Sequence, residues 1–146
     1  GLSVLAWGPL GAGVLTGKYT RSGVENDSLR KQGNEQRGRT NEQSLNIART
    51  VDAVADELGC TSTQVALAWV RSQGYGFIPI VGARKVEQLV DSMGATDVLL
   101  GSEQRARLDE VSRIELGFPH DFLATSYVRD LVRGEKRARL DGRPPR

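Results

Sequence analysis

Only two stretches of this 146-residue chain read as β-strands: the apolar runs SVLAW at residues 3–7 and FIPIV at residues 77–81. Each ends in glycine and leads on to helix-forming sequence, so the order is strand, loop, helix pair, strand, helix, helix. Strands alternating with helices imply βα units and a parallel sheet. Parallel sheets are ordinarily covered on both faces, and a pair of strands alone would leave its outer edges bare. The fold class is therefore α/β, with further strands expected beside these two. The glycine at position 1 and the sole methionine at Met93 fit the same expectation, a piece of something longer.

Hydrophobic residues make up 38% of the chain, charged residues 26%, and the formal net charge is +2. That suffices for one modest core and favours no class of charged partner. The single cysteine, Cys60, excludes an internal disulfide framework and a cysteine-based zinc site, and suits a reducing, cytoplasmic setting. No apolar run approaches the roughly 20 residues that span a bilayer. The start also lacks the basic region of a signal peptide.

Helical periodicity begins near Asn41. Leu45, Ala48, Val51, Ala55 and Leu58 recur at three and four, and Gly59 follows as a stop. Thr61 with Gln64 forms a capping box for a second helix, whose apolar side chains are Val65, Leu67, Ala68 and Trp69. A third helix is expected from near Arg84, with Val86, Leu89, Val90 and Met93 on one side. Ser102 is expected to cap a fourth, carrying Leu108 and Val111. Residues 17–40 are polar with no apolar period, and read as a long mobile loop. Beyond Arg113 the pattern lapses into irregular sequence and a polar tail. Pro79 implies that one side of the second strand lacks an ordinary ladder bond.

Two glycine stretches follow the strands. GPLGAGVLTGKY, residues 8–19, fails as a P-loop because Ala12 stands where the first glycine belongs and Tyr19 replaces the metal-binding hydroxyl. It fails as a dinucleotide fingerprint because Thr16 occupies the third glycine position. What remains is an amide-rich loop ending in a lysine, which suits an anion site or an ordinary turn. PIVGARKVEQLVDS joins a strand end to a helix start, where unpaired N–H groups attract phosphate. Arg84 adds a guanidinium fork suited to a phosphate monoester. Gln88 lies one turn on, and Asp91 and Ser92 a turn further, within reach of a base or ribose. A solvated helix start is the other reading. The pair of sites, each at a strand's C-terminal end, matches the face on which barrels of alternating strands and helices gather ligands.

WGPLGAGVLTGKY, ELGCTSTQVALAWV and IPIVGARKVEQL resemble, in order and spacing, the C-terminal half of the aldo-keto reductases. LDEVSRIELGFPHDFL is similar to the ending of one bacterial branch of that family. The resemblance implies a partial (β/α)8 barrel over residues 1–123, supplying strands seven and eight with their helices, followed by a polar basic tail at 124–146. It implies NADPH as cofactor and a small carbonyl compound as substrate. Gly8, Pro9, Leu10, Gly11, Ala12 and Gly13 would form the loop over the pyrophosphate, with Lys18 approaching the phosphates. Gly82 and Arg84, joined by Gln88, would meet the 2′-phosphate, and Asp91 and Ser92 would lie against the adenine side. Gly8 stands where the family commonly has serine, and Ser92 where it has asparagine. The tail also departs from the family ending, the part that shapes the substrate pocket in that family.

The family's Asp, Tyr, Lys, His tetrad lies on the first half of the barrel, and its motifs do not occur here. Tyr19, Tyr75 and Tyr127 sit in other contexts, and His120 reads as structural or solvated, so no catalytic residue is nominated. The resemblance thus implies a chain inactive alone, whose partner is the missing N-terminal barrel half. A non-catalytic fragment that binds NADPH or adenosine phosphates is the alternative. The basic end, residues 133–146, has six Lys/Arg and two acids without interleaved aromatics, and reads as a solvated tail rather than a nucleic-acid arm. With Val4, Ala6, Ile78 and Ile80 taken as inward-facing and short of neighbours, a molten or self-associating species is expected.

Overall fold

A computed structural model describes residues 2–21, 29–74 and 76–134. The expectations for Tyr75 and for residues 135–146 lie outside this range, as does part of the expected mobile loop, residues 22–28. The chain divides into two compact units, Gly1–Ser112 and Arg113–Arg146.

In the first unit β1 (Val4–Ala6) leads through a 3-10 segment (Gly11–Thr16) to helices α1 (Leu29–Gln36), α2 (Glu42–Leu58) and α3 (Ser62–Ser72). Strand β2 (Phe77–Pro79), helix α4 (Val86–Met93), a 3-10 turn (Gly94–Thr96) and helix α5 (Ser102–Val111) complete it. The caps of the α2–α3 pair are those the sequence specifies. Asn41 Oδ1 accepts from Ser44 N–H at 2.9 Å, and Gly59 ends α2 with φ 63°, a left-handed conformation that glycine adopts without steric cost. Thr61 and Gln64 satisfy each other's backbone N–H groups reciprocally. Helix α3 is apolar nearly all round and is correspondingly the most enclosed, with Val65, Ala66, Leu67, Ala68 and Val70 buried. The core joins Val51, Val54 and Ala55 of α2, Val65 and Ala66 of α3, and Leu108 of α5. Trp69 Nε1 donates to Asp109 at 2.7 Å and Arg107 pairs with Glu57 at 2.6 Å, tying α5 to the helix pair.

The sheet lies at the edge of this helical core. Its strands are parallel, with Val4 opposite Phe77, Leu5 opposite Ile78 and Ala6 opposite Pro79. This register corrects the expected inward set. Side chains alternate between faces along a strand, so Ile78 shares a face with Leu5, not with Val4. Leu5, Trp7, Ile78 and Ile80 are exposed, Trp7 at 84%, whereas Ala6, Phe77 and Pro79 are half-buried. Ile80 N–H donates toward β1, so the position of Pro79 that lacks an N–H faces the other, unpaired edge.

Three further expectations change, and the helix expected from near Arg84 is found within two residues of it. Residues 29–36, expected within a mobile loop, form helix α1, held by the buried side chain of Asn34 rather than by an apolar stripe. Helix α4 starts after Lys85, and its apolar side is open, with Val86, Leu89, Val90 and Met93 all exposed. Gly101, not Ser102, is the N-cap of α5, and no side chain caps it. In the second unit the sequence after Arg113 is helical twice, as α6 (His120–Ala124) and α7 (Ser126–Arg133), the latter capped by Thr125 Oγ1 accepting from Val128 N–H. The rings of Phe118 and Phe122 meet tilted by 41°, with centroids 6.1 Å apart.

Candidate functional site

The loop after β1 is shaped by its glycines. Gly8, Gly11 and Gly13 have φ of 66°, 56° and 93°, and Ala12 between them has φ 56°. Gly11 N–H donates to Gly8 carbonyl at 3.0 Å, and Gly13 N–H to Leu10 carbonyl at 2.9 Å. These amides close the turn on itself. Leu10 and Leu15 pack against the helical core, Pro9 is half-buried and Val14 is buried, so the loop is seated while Lys18 stays exposed. Gly17 is buried with φ 79°, and a Cβ there would press on the Arg21 side chain and on Ser62 Oγ at 3.1–3.3 Å.

The far end of the loop is fastened to the helices by a set of residues that sequence reasoning missed. Asp52, buried on α2, accepts from Thr20 Oγ1 and from Ser62 Oγ, the latter at 2.5 Å. Arg21 lies 3.5 Å from the Asp52 carboxylate and 2.8 Å from that of Asp56. The hydrogen bond to Asp56 raises the Arg21 pKa above its ordinary value, and the Asp52 and Asp56 charges add to it. The readable signal was a lone carboxylate inside the buried stripe of an otherwise apolar helix face.

The loop after β2 is open. Gly82, Ala83, Arg84 and Lys85 are exposed. Arg84 N–H donates to Gln88 Oε1 at 3.1 Å, so Gln88 fastens the approach to α4. Ser92 is buried, and its hydroxyl donates to the Gln88 carbonyl at 2.8 Å. Asp91 accepts from Thr61 Oγ1 at 2.8 Å, and its carbonyl accepts from Gln64 Nε2 at 3.1 Å. Asp91 and Ser92 are thus engaged within the protein, while Gly82 and Arg84 face solvent.

Parallel pairing brings the two stretches to one end of the sheet. Because β1 and β2 run in the same direction and in register, residues 8–18 and 82–84 both leave from the C-terminal ends of neighbouring strands. Oppositely paired strands would have sent them to opposite ends. Three exposed cations, Lys18, Arg84 and Lys85, belong to these loops. His120 and Tyr127 are exposed in the second unit, and Tyr19 is half-buried against Asn34. Among the described residues no group of His, Cys, Asp and Glu could hold a metal ion, and no helix is long and apolar enough to cross a membrane.

Comparison with known proteins bears on this arrangement. The model of the Aldo/keto reductase family matches residues 1–113. A putative voltage-gated potassium channel subunit beta from Schizosaccharomyces pombe is 32% identical over 120 residues, covering 76% of this chain and 34% of the relative. The L-glyceraldehyde 3-phosphate reductase of Escherichia coli O157:H7 is 32% identical over 115 residues, 75% of this chain and 33% of the relative. The chain therefore spans about a third of the length of these curated relatives.

Proposed function

The chain belongs to the aldo/keto reductase family, and on that premise we propose that it is the C-terminal portion of an NADPH-dependent carbonyl reductase. It would supply the last two βα units of a (β/α)8 barrel and require the rest of the barrel as its partner. The parallel strand pair carries this reading, because it directs both glycine loops to the end at which such barrels bind ligands. A reductase among the relatives supports the reaction class.

The donor set suits a dinucleotide bearing an extra phosphate. Gly8 to Gly13 and Lys18 would hold the pyrophosphate, and the exposed Arg84 guanidinium, with Gly82 and Gln88, would hold the 2′-phosphate. Asp91 and Ser92 would meet the adenine side only by sharing or exchanging their present partners, Thr61 and the Gln88 carbonyl. When bound, NADPH supplies hydride to a carbonyl carbon while a proton passes to its oxygen. We assign no catalytic residue to this chain, since that proton donor belongs to the partner half. The setting that suits Cys60 is cytoplasmic.

Titration calorimetry with NADPH and NADH tests the reading. The chain should bind NADPH more tightly, and Arg84→Met should cut the preference by about ten- to a hundredfold, as expected for a lost charge-assisted hydrogen bond. Equal weak heats for both nucleotides would remove it. The second reading, a non-catalytic binder of adenosine phosphates, is favoured by the contiguity of the exposed Gly82 and Arg84 with the half-buried Gln88 on one short stretch. Both readings predict no aldehyde reduction by the purified chain, so turnover there would overturn both. Turnover restored by adding the N-terminal barrel half would favour the first, and binding that stays without turnover the second.

A further inference from the structure

Asn34 is 2% exposed, although it lies on a helix whose neighbours Gln32, Glu35 and Gln36 face solvent. Its amide nitrogen donates in two directions, to the Ala12 carbonyl at 3.3 Å and to the Tyr19 hydroxyl at 2.9 Å. Those are both donors the side chain has. The two acceptors lie on either side of the segment that carries Gly13, Gly17 and Lys18. Ala12 is also the one non-glycine residue with positive φ among the described residues. An L-residue holds that conformation only when its surroundings enforce it, and such residues gather at functional sites. The backbone carbonyl of Asn34 meanwhile accepts from Arg39 N–H at 2.8 Å, at the end of α1.

From this geometry we infer that Asn34 is a positioning residue for the loop after β1, and that α1 is the strap which holds that loop in its cofactor-receiving shape. The inference rests on the cofactor reading of the loop given above. Asn34 is enclosed by Ala12 and Tyr19 and acts through them, not on the nucleotide. Removing it should free Ala12 while Thr20 and Arg21 remain fastened to Asp52. The loop would then stay attached but lose its fixed form.

The test compares the 146-residue chain with Asn34→Leu, which deletes both donors at similar size, and with Tyr19→Phe, which deletes one acceptor. In Asn34→Leu, amide exchange at residues 11–19 should quicken, and NADPH affinity should fall, each by about tenfold. Exchange in α2 and α3 should not change, nor should affinity for 2′-AMP, which engages only the 82–92 stretch. Tyr19→Phe should shift the same quantities the same way by less. Unchanged loop exchange, or NADPH affinity equal to the parent's, overturns the positioning role. So does loss of protection across α2 and α3, which would make Asn34 a general stability residue. A parent chain that binds neither NADPH nor 2′-AMP overturns the cofactor reading instead, and exchange at residues 11–19 then decides the anchor alone.

Discussion

The backbone N–H of Ile80 donates to the carbonyl of Ala6 at 2.9 Å, and this bond extends the parallel ladder one residue past β2. It also fixes which side chains share the open face: Leu5 and Trp7 from the first strand, Ile78 and Ile80 from the second. An apolar patch built from four large side chains marks an interaction surface or an aggregation liability. The chain should therefore bind a hydrophobic dye and elute in a concentration-dependent position on gel filtration. Leu5→Lys should reduce both signals. A chain that stays monomeric and dye-free at high concentration would contradict the open face.

Core position decides a second outcome. Leu67 on α3 is 1% exposed, in a hollow it lines together with Pro79, Val81, Ala95 and Leu89 of α4, whereas Leu89 itself is 45% exposed. Leu67→Ala should cost about 2–5 kcal/mol, a large share of a domain's total stability. Leu89→Ala should stay within about 0.5 kcal/mol, as exposed substitutions do. Urea unfolding followed by circular dichroism measures both. Similar losses would mean that Leu89 is enclosed as fully as Leu67, against its exposure.

How much of this was legible varies with the physics behind each element. Helices α2 and α3 could be read almost to the residue, because Asn41, Gly59, Thr61 and Gln64 act locally and the apolar period is strong. Helix α1 could not, since its stability comes from Asn34 reaching Ala12 and Tyr19, residues distant in sequence. Composition alone makes GNEQRG look like surface. The faces of the two strands were mismatched, Val4 being put with Ile78 where the register puts Leu5, because pairing register is a tertiary property, invisible in a strand of three residues. Of the residues proposed for the site, the glycines and Arg84 are conspicuous in the sequence itself. Asp52 stands out in the sequence only as a lone carboxylate on an apolar helix face, and that Thr20 and Ser62 meet it is visible only with the loop end seen against α2.

Thr61 joins two features that a single substitution separates. Its hydroxyl caps α3 and also donates to Asp91 on α4. Thr61→Ala should lower stability by about 1–2 kcal/mol through loss of the cap. Thr61→Ser should restore most of it, since the hydroxyl can serve both partners. Thermal unfolding of the three chains provides the comparison. If Asp91 contributes to the Thr61 effect, Thr61→Ala should cost less in an Asp91→Asn background, a non-additivity expected of residues in direct contact.

Cys60 sets the response to alkaline pH. Burial pushes its thiol above the ordinary 9.0, and the nearby Asp91 charge adds to the shift. The folded state therefore holds the proton more tightly than the unfolded state does. Its contribution to stability is complete below the unfolded pKa and is lost as pH rises through the folded one. Unfolding free energy should accordingly fall at alkaline pH, and Cys60→Ser should flatten that decline. Because the thiolate is the nucleophile, iodoacetamide should also label the folded chain more slowly than the urea-unfolded chain at the same pH. Asp91→Asn should move the labelling profile toward lower pH, by less than unfolding does, since burial is the larger cause. A folded thiol that labels as fast as the unfolded one would remove the basis for this pH dependence.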